Sequence, residues 1–175
     1  MDIYKVCIVG CGSISKKHIT SLINLNQKIV GICDFDEDRM NKLGEDMSLA
    51  VDFFSDFNEM ILETNPEIII VLTPSGTHAK IVKEIARYKK HIIVEKPISL
   101  TVKDANEMIN ACDNSGSTLT VVKQNRYNLP VKVVRGCFLD GQLGAPFLGT
   151  VRVRWSRTQK YYDNEYPGIL ENKLN

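Results

Sequence analysis

Apolar runs alternate with amphipathic stretches along the first 123 residues of the chain. Each run is short, which is typical of a strand, whereas the stretches between the runs carry apolar residues every three or four positions, as in a helix. The predicted strands have the sequences YKVCIVG, KIVGICD, EIIIVLT, HIIVEKP and TLTVVKQ. Because strands that alternate with helices form parallel sheets, the pattern predicts an α/β fold built on a doubly wound parallel sheet.

The stretches between the strands predict helices with recognisable ends. Asp56 and Glu59 form a variant of the capping box at the start of DFNEMILET. Thr101 and Asp104 begin the last helix of this region, and Gly116 is its predicted C-cap. The residues expected to face inward are Ile19, Leu22 and Ile23 in the first helix, Ile81, Val82, Ile85 and Tyr88 in the helix before HIIVEKP, and Val102, Ala105, Met108, Ile109 and Cys112 in the last.

Beyond residue 123 the pattern indicates the start of a second domain. A helix is predicted from Asn128 to Asp140, followed by a turn at GQLGAP and a half-buried strand at FLGTVRVRW. The sequence therefore predicts a first domain at residues 1–123 and a partial second α/β domain at residues 124–175.

Composition and charge exclude several classes of protein. Hydrophobic residues make up 43% and charged residues 25% of the chain, as in an ordinary soluble globular protein. The net charge of +1 and the absence of a Lys/Arg block argue against nucleic acid. No apolar run approaches the roughly 20 residues of a membrane helix, and the N-terminus lacks signal-peptide features, so a cytoplasmic location is expected. The five cysteines form no CxxC motif and no His/Cys cluster, which favours reduced packing residues over disulfides or a metal site.

The sequence GCGSIS lies directly after the first predicted strand and opens a helix. In doubly wound sheets, ligands bind beyond the carboxyl ends of the strands. Gly10 permits a tight turn, Gly12 removes a side chain that would block a pyrophosphate, and the helix amino end offers free N–H groups. Ser15 occupies the third glycine position, so the match is GxGxxS. A plain strand–helix turn is the alternative, but the context favours dinucleotide binding.

Asp34 ends the second predicted strand, 22 residues after Gly12. A carboxylate at this position can accept hydrogen bonds from both hydroxyls of the adenosine ribose and would repel a 2′-phosphate. We therefore expect NAD rather than NADP. Two alternatives are a capping role for Asp34 on the next helix and a phosphate contact through Arg39.

Histidines and a proline mark the remaining loops. In TPSGTH, Pro74 predicts an irregular turn and Thr77 is a candidate cap for the following helix. His78 and His18, both in helices, are residue types that more often pack or cap than catalyse. His91 begins a strand and is expected to be structural.

The sequence HIIVEKPISL ends a buried strand with charge. Pro97 cannot donate to a sheet ladder, so the strand should stop with Glu95 and Lys96 at its carboxyl end. A cleft could tune the Lys96 ammonium by desolvation, or the ammonium could act as a fixed positive charge where an alkoxide develops. A surface ion pair between the two residues is the alternative, and it would contribute little.

The motifs VGCGSISKKH, TPSGTH and VEKPISL, in that order and spacing, resemble the Gfo/Idh/MocA oxidoreductases over about residues 3–163. The resemblance implies a Rossmann domain joined to a second domain with an open, largely antiparallel sheet. It also implies that Lys96 is catalytic and contacts the substrate hydroxyl, and that Glu95 lies beside the cofactor. With the glycine turn and Asp34 included, the predicted NAD-binding residues are Gly10, Gly12, Ser13, Ile14, Asp34, Thr73, Pro74, His78, Glu95, Lys96 and Asn125; no metal ligand is predicted.

The segments QNRYNLP and VRVRWSRTQKYYD are similar to the subgroup of this family that oxidises the 3-hydroxyl of UDP-N-acetylglucosaminuronate in lipopolysaccharide synthesis. The implied substrate is a nucleotide sugar. Arg152, Arg154 and Arg157 could bind its diphosphate or carboxylate, although a solvated basic face explains them equally well.

The last twelve residues, NEYPGILENKLN, match no segment of the family, and no histidine follows His91. In the family a histidine helix supplies the general base, so we expect little turnover from this chain. An inactive dinucleotide-binding module is the alternative function. Because a lone strand at FLGTVRVRW would leave an unpaired edge, a homo-oligomer is also expected.

Overall fold

The computed structural model describes residues 2–156 and 158–159. By backbone packing the chain divides into two compact units, Met1–Lys123 and Gln124–Asn175. The first unit contains the sheet.

The first unit is built on a sheet of six parallel strands. The strands are β1 (Lys5–Val9), β2 (Lys28–Cys33), β3 (Phe53–Phe54), β4 (Ile68–Val71), β5 (His91–Val94) and β6 (Leu119–Val121). Their order across the sheet is β3-β2-β1-β4-β5-β6, which is the order of a dinucleotide-binding fold with its switch point between β1 and β4. The predicted doubly wound parallel sheet is confirmed. The sequence pattern missed β3, because two residues are too few to show a period.

Helices connect these strands, and one further helix lies in the second unit. They are α1 (Ser15–Asn24), α2 (Glu37–Met47), α3 (Phe57–Thr64), α4 (His78–Ala86), α5 (Val102–Ser115) and α6 (Leu129–Leu139). Three of the predicted caps are in place: Asp56 accepts the N–H of Asn58, Thr101 accepts the N–H of Asp104, and Gly116 ends α5 in the left-handed conformation with φ 74°.

The core forms two clusters of buried residues. Val6 and Ile8 belong to one cluster, whereas Cys7 and Val9 belong to the other. Successive residues of a strand point to opposite faces of the sheet, so both faces of β1 are covered. This double burial explains why the central strands are apolar without alternation.

Three residues that were predicted to face inward are exposed instead, namely Ile23, Val102 and Ile109. Along α5 the fully buried residues are Met108 and Cys112, four positions apart, which is a narrower stripe than predicted. In α1, Ile19 and Leu22 are buried, whereas Ile23, the residue after Leu22, lies outside this buried stripe. A helix that covers one face of a sheet needs only this narrow stripe.

The second unit begins with a 3₁₀ turn at Gln124–Tyr127 and continues into α6, as the helix prediction required. Residues 147–155 were predicted to form a half-buried strand, but the structure shows no strand there and all of these side chains are exposed. A strand needs a paired neighbour, and the described residues of this unit supply none. The prediction is wrong, and with it the argument from an unpaired edge; the homo-oligomer stays a prediction.

All five cysteines are free thiols, and four of them are buried, as fits packing residues. In the described part of the chain no helix is long and apolar enough to cross a membrane. Nor do residues 2–156 gather three or more metal-binding side chains at one place.

Candidate functional site

The carboxyl ends of four neighbouring strands are joined by backbone hydrogen bonds. These bonds run from Gly10 N to Cys33 O (2.8 Å), from Leu72 N to Val9 O (2.8 Å) and from Glu95 N to Val71 O (3.0 Å). The residues that follow β1, β2, β4 and β5 therefore lie along one edge of the sheet, and this edge is the candidate site. Most of the predicted site residues are brought together here.

The glycine turn after β1 contains one position where only glycine fits and another with empty space beside it. Gly10 has φ 110°, and a Cβ there would lie 2.9 Å from the backbone carbon of Leu72. Only glycine fits this position. A Cβ on Gly12 would meet no atom within 4 Å, so the space beside it is free for a ligand.

Ser15 explains why the third glycine is not needed. Its side chain is fully buried, and Oγ donates a hydrogen bond of 2.6 Å to the carbonyl oxygen of Gly12. The serine thus fixes the turn by this hydrogen bond, in place of the close backbone packing that a third glycine would allow. The predicted GxGxxS motif works as a strand–helix turn with its ligand side open.

The amino end of α1 carries no side-chain cap and no acidic residue in its first turn. Ser13 is exposed and Ile14 is half-buried just before the helix begins. Backbone N–H groups and the helix dipole favour an anion at such an end. This arrangement fits the diphosphate of a dinucleotide.

Asp34 connects the end of β2 to the glycine turn. One carboxylate oxygen accepts the N–H of Cys11 (2.6 Å), and the other accepts the N–H of Asp36 (3.1 Å). The cap of α2 is Asp36, which accepts the N–H of Arg39, so the capping alternative for Asp34 is wrong. Each carboxylate oxygen of Asp34 keeps a second lone pair that could accept a ribose hydroxyl.

Arg39 is already paired. Its Nε lies 3.0 Å from Oδ2 of Asp36, the N-cap residue of the same helix, three positions earlier. A guanidinium held in this way is a poorer partner for a 2′-phosphate than a free one. The pairing favours NAD over NADP.

Cys11, within the glycine turn, is an inert thiol. Burial raises its pKa to about 12, and the neighbouring Asp34 carboxylate acts in the same direction. The thiolate is the reactive form of cysteine, so this residue offers no nucleophile at neutral pH.

Hydrogen bonds within the TPSGTH loop fix its own conformation, and a further contact joins it to the loop after β5. Thr77 was predicted to cap α4, but its hydroxyl instead donates to Pro74 O (2.7 Å) and lies 2.8 Å from the hydroxyl oxygen of Thr73. His78 is only 1% exposed, with Nδ1 2.9 Å from Pro97 O and Nε2 2.8 Å from Thr73 O. The predicted contact of His78 with a cofactor does not fit this burial. His78 joins two loops behind the edge, while Thr73 and Pro74 remain accessible on it.

At the end of β5 the ion pair between Glu95 and Lys96, which was the alternative interpretation, is absent. Glu95 places Oε1 2.9 Å from Nε2 of His18 and accepts the N–H of Lys96 on Oε2 (3.0 Å). The Lys96 side chain is exposed, and no carboxylate of the described residues pairs with it. The ammonium is therefore free at the edge, although the described residues do not desolvate it.

His18 is the site residue that sequence reasoning missed. It was expected only to pack within α1, yet it contacts Glu95 from 77 positions away in the chain. One signal was available: His18 lies in the first turn of the helix that opens at the glycine turn, and that turn faces the ligand edge.

Some predicted contacts belong to residues of the second unit. Asn125 is exposed in the 3₁₀ turn of the second unit, so its cofactor contact stays a prediction. Arg152 and Arg154 are exposed, and Arg157 lies outside the described residues.

A family model described as an oxidoreductase family with an NAD-binding Rossmann fold matches residues 4–123. The chain belongs to the Gfo/Idh/MocA oxidoreductase family. The match includes the glycine turn, Asp34 and the EKP segment, which together form the edge described above. The predicted family is confirmed, and NAD is the cofactor of that family.

Members of the Gfo/Idh/MocA family with solved structures share the fold closely. The WlbA dehydrogenase from Bordetella pertussis, in complex with NADH and UDP-GlcNAcA, is 33% identical with a TM-score of 0.86 over 93% of this chain and 50% of that one. The WlbA dehydrogenase from Chromobacterium violaceum, with the same ligands, is 29% identical with a TM-score of 0.85 over 92% of this chain and 47% of that one.

Among the curated relatives, the D-apiose dehydrogenase of Paraburkholderia graminis is 28% identical over 86% of this chain and 40% of its own length. The chain thus spans about 40% of the length of the curated relatives that it matches.

Proposed function

We propose that this chain supplies the NAD-binding half, and the lysine at the reacting hydroxyl, of a dehydrogenase that oxidises a secondary alcohol of a sugar. The observation that carries the proposal is the free Lys96 ammonium at an edge that also holds an open glycine turn and the Asp34 carboxylate. A cation without a protein partner can meet a substrate oxygen. In a lysine that forms an ion pair, part of the charge and of the N–H donors is already engaged.

Each part of the edge has a role in this proposal. The amides before α1 would bind the diphosphate beside Gly12, and Asp34 would accept the ribose hydroxyls with its remaining lone pairs. When bound, NAD accepts the hydride from the alcohol carbon. Lys96 would stabilise the negative charge that develops on the alcohol oxygen as its proton passes to water or another base and the carbonyl forms.

A nucleotide sugar with a carboxylate is the substrate that we favour. The two WlbA dehydrogenases, each solved with UDP-GlcNAcA, are similar to this chain beyond the first unit, over more than nine tenths of its length. Arg152 and Arg154 are exposed in the second unit and are available to a diphosphate or a carboxylate. This supports a step in lipopolysaccharide biosynthesis.

A binding experiment tests the proposal with the chain as it is. Saturation-transfer NMR with UDP-GlcNAcA, with and without NADH, should show transfer to the uridine and sugar protons that increases when NADH is present. UDP-GlcNAc, which differs only in lacking the carboxylate, is the matched control and should bind more weakly. Equal signals for the two sugars would contradict the uronate assignment. The cytoplasmic location and the low turnover of this chain stay predictions.

A further inference from the structure

Two histidines contact the two chain neighbours of Lys96. His18 contacts Glu95, which precedes the lysine, and His78 contacts Pro97, which follows it. We propose that His18 and His78 are positioning residues that fix the backbone of Lys96 from both sides. The chemical value of this arrangement rests on the proposed function, in which the Lys96 ammonium meets the reacting hydroxyl.

His18 acts through the carboxylate of Glu95. The pair is largely shielded, with the His18 side chain 17% and the Glu95 side chain 11% exposed. Because a carboxylate only accepts hydrogen bonds, Nε2 of His18 carries the proton in this contact. The same carboxylate accepts the N–H of Lys96 on its other oxygen. The orientation of the Glu95 carboxylate therefore also fixes the backbone of the lysine.

The His18 contact also keeps Glu95 away from the Lys96 ammonium. A buried carboxylate that loses its partner must find another or turn to water, because an unpaired buried charge is costly. The nearest cation in the sequence is Lys96 itself. Removing the His18 imidazole should therefore loosen the Lys96 backbone and allow Glu95 to compete for the free ammonium.

His78 acts on the other side through backbone atoms. Its ring lies between Pro97 O and Thr73 O, and it is almost fully buried. A neutral imidazole has one N–H and can donate to one of these carbonyls, whereas a doubly protonated ring can donate to both. The ring therefore lies between the loop after β5 and the loop after β4 and donates a hydrogen bond to one of them or to both.

Hydrogen exchange at the Lys96 amide, measured by NMR, tests the His18 part. His18→Leu removes the donor, whereas His18→Gln places an amide nitrogen near the position of Nε2. We expect the exchange rate of the Lys96 amide to rise by about tenfold or more in the Leu variant and to stay within about threefold of wild type in the Gln variant. Core amides such as that of Ile8 should keep their rates in both variants. An unchanged Lys96 rate in His18→Leu would overturn the proposal.

A matched pair of variants tests the His78 part. Asn can imitate the δ nitrogen that faces Pro97, and Gln can imitate the ε nitrogen that faces Thr73. We expect the exchange rate of the Lys96 amide to be lower in His78→Asn than in His78→Gln, by about threefold or more. The Ile8 amide reports whether each variant is folded. If two folded variants exchange equally at Lys96, the contact with Pro97 does not position the lysine.

NADH titrations of the same samples separate the inference from the proposed function. If the wild-type chain bound no NADH, the proposed function would fail, but the exchange rates would still decide the positioning roles. If NADH bound normally and the exchange rates did not respond to His18→Leu, the positioning inference alone would be overturned.

Discussion

Two buried carboxylates at the same edge of the sheet, Asp34 and Glu95, are held in different ways. Both residues are 8% exposed. Asp34 is satisfied by two backbone N–H groups, whereas Glu95 is satisfied by one backbone N–H and the His18 side chain. The first arrangement forms whenever the chain folds, but the second depends on one particular side chain.

The difference matches the two proposed tasks. The Asp34 end would bind the unreactive adenosine part of the cofactor, so two backbone hydrogen bonds that fix the carboxylate are sufficient there. The Glu95 end adjoins the lysine that would meet the reacting hydroxyl. There, a side-chain partner for Glu95 leaves the Lys96 charge free, which backbone bonds alone would not guarantee.

The largest effect is expected at the Glu95 end, from Lys96→Met. The lysine would act on charge that develops only during reaction, so its loss should lower kcat by about a hundredfold. NADH formation with NAD and UDP-GlcNAcA measures whatever rate the wild-type chain sustains. The Kd for NADH should change by less than about threefold. A nearly normal kcat would show instead that Lys96 is an ordinary surface residue.

Two glycines at the Asp34 end should separate folding from binding. Gly10→Ala forces a side chain into positive φ and against the Leu72 backbone, so the free energy of unfolding should fall by about 1–3 kcal/mol. Gly12→Ala meets no atom, so its stability should stay near that of wild type while its methyl group weakens NADH binding. Urea unfolding and calorimetry measure the two quantities. Equal loss of stability in both variants would contradict the open space at Gly12.

Asp34→Ser should reduce the preference for NADH over NADPH. Loss of a charged acceptor for ribose hydroxyls should weaken NADH binding by about tenfold and leave NADPH binding nearly unchanged. Asp36→Ala is the comparison variant, because it removes the α2 cap at a cost of about 1 kcal/mol and releases Arg39 without removing the proposed ribose ligand. If Asp36→Ala altered the preference as much, cofactor choice would depend on the position of α2 or on the released Arg39 guanidinium.

The smallest effect is expected at Cys11. With its pKa near 12, roughly one thiol in 10⁴ is ionised at pH 8, so iodoacetamide should label it far more slowly than the partly exposed Cys137. Because the thiol deprotonates more easily in the unfolded chain, its contribution to stability is complete below about pH 9 and is lost as the pH rises toward 12. Mass spectrometry of labelled peptides measures both rates. Fast labelling of Cys11 in the folded chain would contradict its burial.

The Asp34 end could be predicted from sequence far better than the Glu95 end. The glycine turn and Asp34 are local signals, since each follows a strand directly. The His18–Glu95 contact depends on the order of strands in the sheet, in which β4 lies between β1 and β5. No periodicity contains that information. The failed strand at residues 147–155 has the same cause, because alternation shows that a segment could pair but not whether a neighbour exists.

The most direct test of the proposed cofactor edge is an NMR titration of the wild-type chain with NADH. We predict that the shifted amide signals concentrate at Gly12, Ser13, Ile14, the Asp34 turn and Lys96, and that NADPH produces the same pattern only at higher concentration. Absence of shifts at the glycine turn, or shifts confined to the second unit, would contradict it.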